Sequence, residues 1–126
     1  MRIAIAGVPK SGKTTFATGI CRDQGINCMH TDDLINECEW SELSARVAEW
    51  FDISGDLIVE GVAVPRALRK WLTAHPEGKP CDEVIWMGKP FEELSKGQVS
   101  MAKGCLKVIE EIEQELFKRG VEIKQE

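Results

Sequence analysis

Gly7-Val8-Pro9-Lys10-Ser11-Gly12-Lys13-Thr14-Thr15 decides how this 126-residue chain is read. The stretch satisfies G-x-x-x-x-G-K-[ST], the pattern of a phosphate-binding loop. Its flanks supply the context the pattern needs. Before it, Arg2-Ile3-Ala4-Ile5-Ala6 is a short apolar run of strand type, and from Thr14 to Cys21 apolar residues recur at helical spacing. A strand, a glycine-rich turn and a helix make a cradle. The glycines let the backbone curl until its N–H groups face inward, and the helix contributes the positive end of its dipole. Gly7, Pro9, Lys10, Ser11, Gly12, Lys13, Thr14 and Thr15 are the expected nucleotide-binding residues. In such a loop the lysine, here Lys13, reaches the β- and γ-phosphates of a nucleoside triphosphate, and the Thr14 hydroxyl can ligate Mg²⁺.

Composition narrows the rest. The length and the 43% hydrophobic content suit one globular domain spanning residues 1–126. A formal net charge of −5 argues against nucleic acid held by a basic surface, leaving it only as a locally engaged substrate. The five cysteines are scattered, odd in number and without a C-x-x-C pair, as expected of reduced thiols in a cytoplasmic protein. No apolar run approaches a membrane span, and the chain enters its first strand without room for a signal peptide.

Beyond the loop, strands and helices alternate. Gly25 is placed to end the first helix, and Ile26 to His30 reads as a second strand that stops at Thr31-Asp32-Asp33. Ser41 is placed to cap a helix with Leu43, Val47, Trp50 and Phe51 on one face; Trp40 and Trp50 read as core or pocket wall. Leu57-Ile58-Val59, apolar throughout as in a strand covered on both faces, runs into Glu60-Gly61. Pro65 suits the first turn of a helix that buries Ala67, Leu68, Trp71 and Leu72. Glu83 to Met87 is a fourth strand. From Ser100 to Arg119 a long helix carries a stripe of Met101, Cys105, Val108, Ile109, Ile112, Leu116 and Phe117, and Val121-Glu122-Ile123 is a short last strand. The expected fold is α/β: a three-layer sandwich of a five-stranded parallel sheet with helices on both faces.

In such sheets the ligand lies across the strands' carboxyl ends, where the loop, Asp32-Asp33 and Glu60-Gly61 all fall. Phosphoryl transfer needs a phosphate cradle, a metal, and a group that orients or deprotonates the nucleophile. Lys13 and Asp32 are the expected catalytic pair, Asp32 accepting the proton of a substrate hydroxyl. Asp33 either contacts substrate or caps a helix before Leu34-Ile35. Glu60 either meets Mg²⁺ through water or bonds loop N–H and hydroxyl groups. Arg66 and Arg69 either grip an anionic group of the substrate, which a guanidinium fork pairs bidentately, or are surface charges. His30, alone at a strand end, either assists the chemistry or, as is commoner for such a histidine, is structural; His75 reads as a loop residue.

With those residues in view, the chain resembles the small P-loop kinases. Its loop is similar to the G-x-P-x-S-G-K-[ST]-T form of adenylate-kinase-like, nucleoside-kinase and polynucleotide-kinase proteins. Thr31-Asp32-Asp33-Leu34 resembles the strand-end acidic motif of uridine kinases and phage polynucleotide kinases, which implies that Asp32 is the general base. Val59-Glu60-Gly61 resembles the second acidic motif of uridine-kinase-like enzymes. The segments at His30, Val59 to Ala63, Ala67 to Leu72 and Leu94 to Gly104 resemble, over nearly the full length, short phage and actinobacterial P-loop ATPases. The chain departs from the kinase pattern in three ways. Residues 88–118 hold no arginine for a lid, although Lys96 and Lys103 flank Gly97-Gln98 and could partly replace one. Little chain follows the last strand to wall the nucleotide base, and no mononucleotide-binding insert separates Asp33 from the third strand.

Two functions follow. One is an ATP- and Mg²⁺-dependent phosphotransferase acting on a small hydroxyl-bearing acceptor such as a nucleoside, a nucleotide or a polynucleotide end. The other is a nucleotide-hydrolysing switch completed by an arginine from a second copy or a protein partner. Asp32 favours the first, because a switch needs no substrate base; the missing lid arginines favour the second.

Overall fold

The structure, a computed structural model, describes residues 1–34 and 37–126. Five strands form one parallel sheet: β1 (Arg2–Gly7), β2 (Asn27–His30), β3 (Leu57–Glu60), β4 (Glu83–Met87) and β5 (Glu122–Gln125), in the order β2-β3-β1-β4-β5. Four α-helices connect them: α1 (Lys13–Gln24), α2 (Trp40–Trp50), α3 (Val64–Ala74) and α4 (Lys96–Lys118). The expected α/β sandwich is what forms.

Strand order and handedness fix which helix covers which face. Crossovers between parallel strands are right-handed. The β1-to-β2 connection runs one way along the sheet, whereas β2 to β3, β3 to β4 and β4 to β5 all run the other. One helix therefore lies alone on its face, opposite the other three. The core divides accordingly. Ile3, Ile5, Ile58 and Ile85 pack against Ala17 and Cys21 of α1. The alternate strand residues Ala4, Ala6, Leu57, Val59, Val84 and Trp86 pack against Leu43, Val47, Leu68, Trp71, Ile109 and Leu116 of α2, α3 and α4. The period-two alternation of strand side chains thus sorts β1 and β3 into two cores.

Several local expectations shift. α2 starts at Trp40 after Glu39, without a side-chain cap, so Ser41 lies inside the helix and does not cap it. α4 starts at Lys96, earlier than Ser100, because Ser95 and Gln98 close a reciprocal capping box: the Ser95 hydroxyl accepts the Gln98 N–H at 3.2 Å and the Gln98 amide oxygen accepts the Ser95 N–H at 3.0 Å. The α4 stripe is narrower than expected. Cys105, Val108, Ile109, Ile112 and Leu116 are buried, but Met101 is exposed near the helix start and Phe117 is 77% exposed. Gly25 ends α1 in the left-handed conformation, and Pro65 lies in the first turn of α3. Ile35, one end of the expected cap after Asp33, lies outside the described residues.

Candidate functional site

The carboxyl edge of the sheet opens into a cleft of about 440 Å³. Its floor is the loop Pro9 to Thr15; its walls are Asp32, Val62, Phe91, Gln98 and Met101. The loop adopts the curled form the sequence demanded. Lys10 and Gly12 both have positive φ, 58° and 84°, and Gly12 enters α1 directly. Gly7 sits beneath, where a Cβ would fall 2.3 Å from the Met87 carbonyl oxygen, so only glycine lets β1 leave the sheet against β4 here. The Ser11 hydroxyl is buried within the loop with no hydrogen-bond partner. An oxyanion seated in the cradle would satisfy it.

Lys13 is buried, and its Nζ donates to the Val8 carbonyl at 2.8 Å, a loop contact that a phosphate oxygen could replace. Burial pushes its ammonium below the usual lysine range, while the nearby Glu60 and Asp32 carboxylates pull the other way. Three polar constellations distant in sequence therefore act on one another at the cleft.

Glu60 is the most enclosed of them, 1% exposed at the end of β3. Its Oε1 accepts the Thr14 hydroxyl at 3.2 Å and is 2.6 Å from His30 Nδ1. Among the described residues no three His, Cys, Asp or Glu side chains gather as a ready-made metal site. Mg²⁺ does not require one. It keeps several waters and takes one or two protein oxygens besides substrate phosphates. The Thr14 hydroxyl and the Glu60 carboxylate beside a phosphate cradle fit that donor set.

Asp32 and Asp33 are both exposed in a single 3-10 turn, Thr31–Leu34. Only Asp32 lines the cleft; adjacent residues of such a turn point about 120° apart. Arg66 and Arg69 also part company. The Arg66 guanidinium lies over the Trp40 ring, 5.9 Å from its centroid, with Nη1 3.9 Å from Cys105 Sγ, and no carboxylate pairs with it among the described residues. Burial pushes the Cys105 thiol up, and Arg66 and Lys13 draw it down; Arg66 itself does not line the cleft. Arg69, one turn further from the sheet edge, pairs with Glu111 at 3.0 Å and lines a separate depression with Arg119. Lys96 and Lys103 are exposed and line no part of the cleft; α4 turns Gln98 and Met101 toward it instead.

Sequence reasoning missed Val62, Phe91, Gln98 and Met101 as cleft residues. Phe91 is 70% exposed, yet its N–H donates to the Lys10 carbonyl at 2.7 Å, and Lys10 Nζ lies 3.5 Å from Glu92. The segment after β4 is thereby tied to the phosphate loop. The signal was Phe91 itself, a large apolar residue amid polar ones.

The same architecture recurs in solved structures. A shikimate kinase from Acinetobacter baumannii, in complex with shikimate, superposes with a TM-score of 0.60 at 13% identity, over 99% of this chain and 82% of that one. A gluconokinase from Sinorhizobium meliloti gives 0.59 at 18% identity, over 98% and 81%. The chain has the fold of the small P-loop kinases. A shikimate kinase from Aquifex aeolicus gives 0.54 at 17%, over 98% and 86%. No family model and no curated protein sequence matches the chain. No described helix is long and apolar enough to cross a membrane.

Proposed function

We propose that this chain is a single-domain, Mg-ATP-dependent phosphotransferase that moves the γ-phosphoryl group to a hydroxyl of a small acceptor. The observation that carries this reading is the presence of Asp32 in the same cleft as residues Pro9 to Thr15 of the phosphate loop. The acceptor oxygen attacks the γ-phosphorus, the bond to the β-phosphate bridging oxygen breaks, and the acceptor proton passes to the Asp32 carboxylate. Backbone N–H groups from Pro9's neighbours to Thr15, together with Lys13, hold the phosphates, and Asp32 orients the nucleophile. Mg²⁺, held by Thr14 and through water by Glu60, supplies charge neutralisation at the phosphoryl oxygens when bound.

Arg66 is the acceptor-side cation of this reading. A half-buried guanidinium with no carboxylate partner among the described residues is available to an anionic group on the acceptor. Arg69, already paired, is not. With an anionic acceptor, Arg66→Ala is expected to raise KM about tenfold or more, an effect the size of one charge-assisted hydrogen bond. Arg69→Ala should leave KM within about twofold, because it breaks only an exposed ion pair. Steady-state kinetics on the two variants decides it.

The test of the reading itself is a screen with γ-labelled ATP across nucleosides, nucleotides, oligonucleotide ends, sugars and hydroxy acids. The last two belong there because the similar structures are kinases named for shikimate and gluconate. Label transferred to an acceptor supports it; label released only as phosphate counts against it. One observation favours the hydrolytic switch as a second reading: Lys10 and Lys13 are the cations lining the cleft among the described residues. A cytoplasmic ATPase whose arginine comes from a second copy or a protein partner would then show activity per chain that rises with protein concentration.

A further inference from the structure

We infer that His30 is a positioning residue for the metal–nucleotide site, its Nδ1–H holding Glu60 by one carboxylate oxygen and leaving the other free toward the cation. The inference rests on the nucleotide-and-metal part of the function proposed above.

Sheet register brings the two residues together. His30 and Glu60 are paired positions on β2 and β3, at the last residue of each strand. Side chains at paired positions of neighbouring parallel strands point to the same face, and alternation assigns that face. Cys28 and Ile58, two residues earlier on each strand, pack on the α1 side. His30 and Glu60 therefore also face α1, whose first turn carries Thr14. The three side chains meet because of strand register and helix placement, with no loop needed to bring them in.

The hydrogen bonding has a direction. An ionised carboxylate only accepts, so both Thr14 Oγ1 and His30 Nδ1 donate to Glu60 Oε1. Donation spends the Thr14 proton and leaves its oxygen lone pairs available to a cation. Two donors on Oε1 fix the carboxylate plane and leave Oε2 without a hydrogen-bond partner among the described residues. A carboxylate 1% exposed is costly without such donors. Thr14 alone would supply one donor that is itself a candidate ligand; His30 supplies one that is not. Partners of this kind orient ligands in metal sites, and removing them costs about 10- to 100-fold in metal affinity.

The experiment uses Mn²⁺ as the probe, titrated by electron paramagnetic resonance into the whole chain saturated with a non-hydrolysable ATP analogue. His30→Leu keeps the volume and removes the donor. His30→Asn places an amide nitrogen where Nδ1 lies; His30→Gln places one where Nε2 lies. Mn²⁺ should bind His30→Leu about 10- to 100-fold more weakly than wild type. His30→Asn should recover to within about threefold and His30→Gln should not, while metal-free nucleotide binding stays within about twofold in all three. Equal Mn²⁺ affinity in wild type and His30→Leu would overturn the inference, as would His30→Gln matching His30→Asn. The Asn–Gln comparison decides the matter even if the leucine variant does not fold. A wild-type chain that binds no Mn²⁺ with nucleotide overturns the proposed function and this inference together. Mn²⁺ bound equally by wild type and leucine variant overturns this inference alone.

Discussion

Asp32→Asn is expected to bind Mg-ATP within about threefold of wild type and to transfer the phosphoryl group about 10²- to 10⁴-fold more slowly, the range a positioned general base contributes. Asparagine keeps the size and hydrogen-bonding reach of the side chain but cannot take a proton. Asp32 is exposed in its 3-10 turn and its side chain makes no hydrogen bond among the described residues, so the substitution is expected to leave the fold intact. It also removes one of the two carboxylates that hold the Lys13 ammonium up against burial, but leaves the stronger one, Glu60, in place. Loss of turnover with retained binding would thus isolate the proton-accepting role. The paired measurements are nucleotide affinity by calorimetry and the single-turnover rate of label transfer. Asp33→Asn is the control, since Asp33 does not line the cleft. If the Asp32 variant transfers phosphate at the wild-type rate, the acceptor hydroxyl is deprotonated elsewhere and the base is wrongly assigned.

How far the sequence alone could carry these assignments depends on the range of the forces involved. The phosphate loop was legible because its chemistry is local: Gly12 at φ 84°, the Lys13 reach and the first turn of α1 all lie within a few residues. The sheet was legible because apolar runs alternate with amphipathic helices, and handedness then distributes the helices. The pairing of His30 with Glu60 was not. It depends on the register between β2 and β3, strands about 30 residues apart in sequence, which no local pattern around either residue states. A histidine read in isolation looks structural. The fates of Arg66 and Arg69 were hidden for the same reason: the partners that separate them, Trp40 and Glu111, come from different helices. Lys96 and Lys103 read as lid cations because they flank Gly97-Gln98. Helix phase was the missing information: with α4 running from Lys96, Gln98 and Met101 share the side that lines the cleft, and both lysines fall on the exposed side.

The other large effect concerns the hinge between the two acidic strand ends. Gly61→Ala should cost roughly 3–5 kcal/mol of folding free energy, out of the roughly 5–15 kcal/mol typical of a domain. Two independent causes combine. Gly61 has φ 139°, a region that L-residues occupy only with strain of about 1–3 kcal/mol. A Cβ there would lie 1.8 Å from Thr31 Oγ1 and 2.8 Å from Thr31 Cβ, and Thr31 is completely buried, so it has nowhere to retreat. The Gly61 N–H also donates to the Ile5 carbonyl at 3.1 Å, which ties the turn to β1. Because Thr31 precedes Asp32 and Gly61 follows Glu60, relief of the clash must push the base away from the metal-side carboxylate. Stability and transfer should therefore fall together. Thr31→Ala separates the two causes. Its hydroxyl has no partner among the described residues, so Thr31→Ala alone should cost only about 1 kcal/mol, the burial of the methyl it also removes. In the Gly61→Ala background it should recover the hydroxyl clash and leave both the φ strain and the 2.8 Å contact in place. Urea denaturation of the four chains gives the cycle directly. A Gly61→Ala cost below about 1 kcal/mol would mean that the turn between Glu60 and α3 yields to a Cβ, and that Thr31 does not hold Asp32 at a fixed spacing from Glu60.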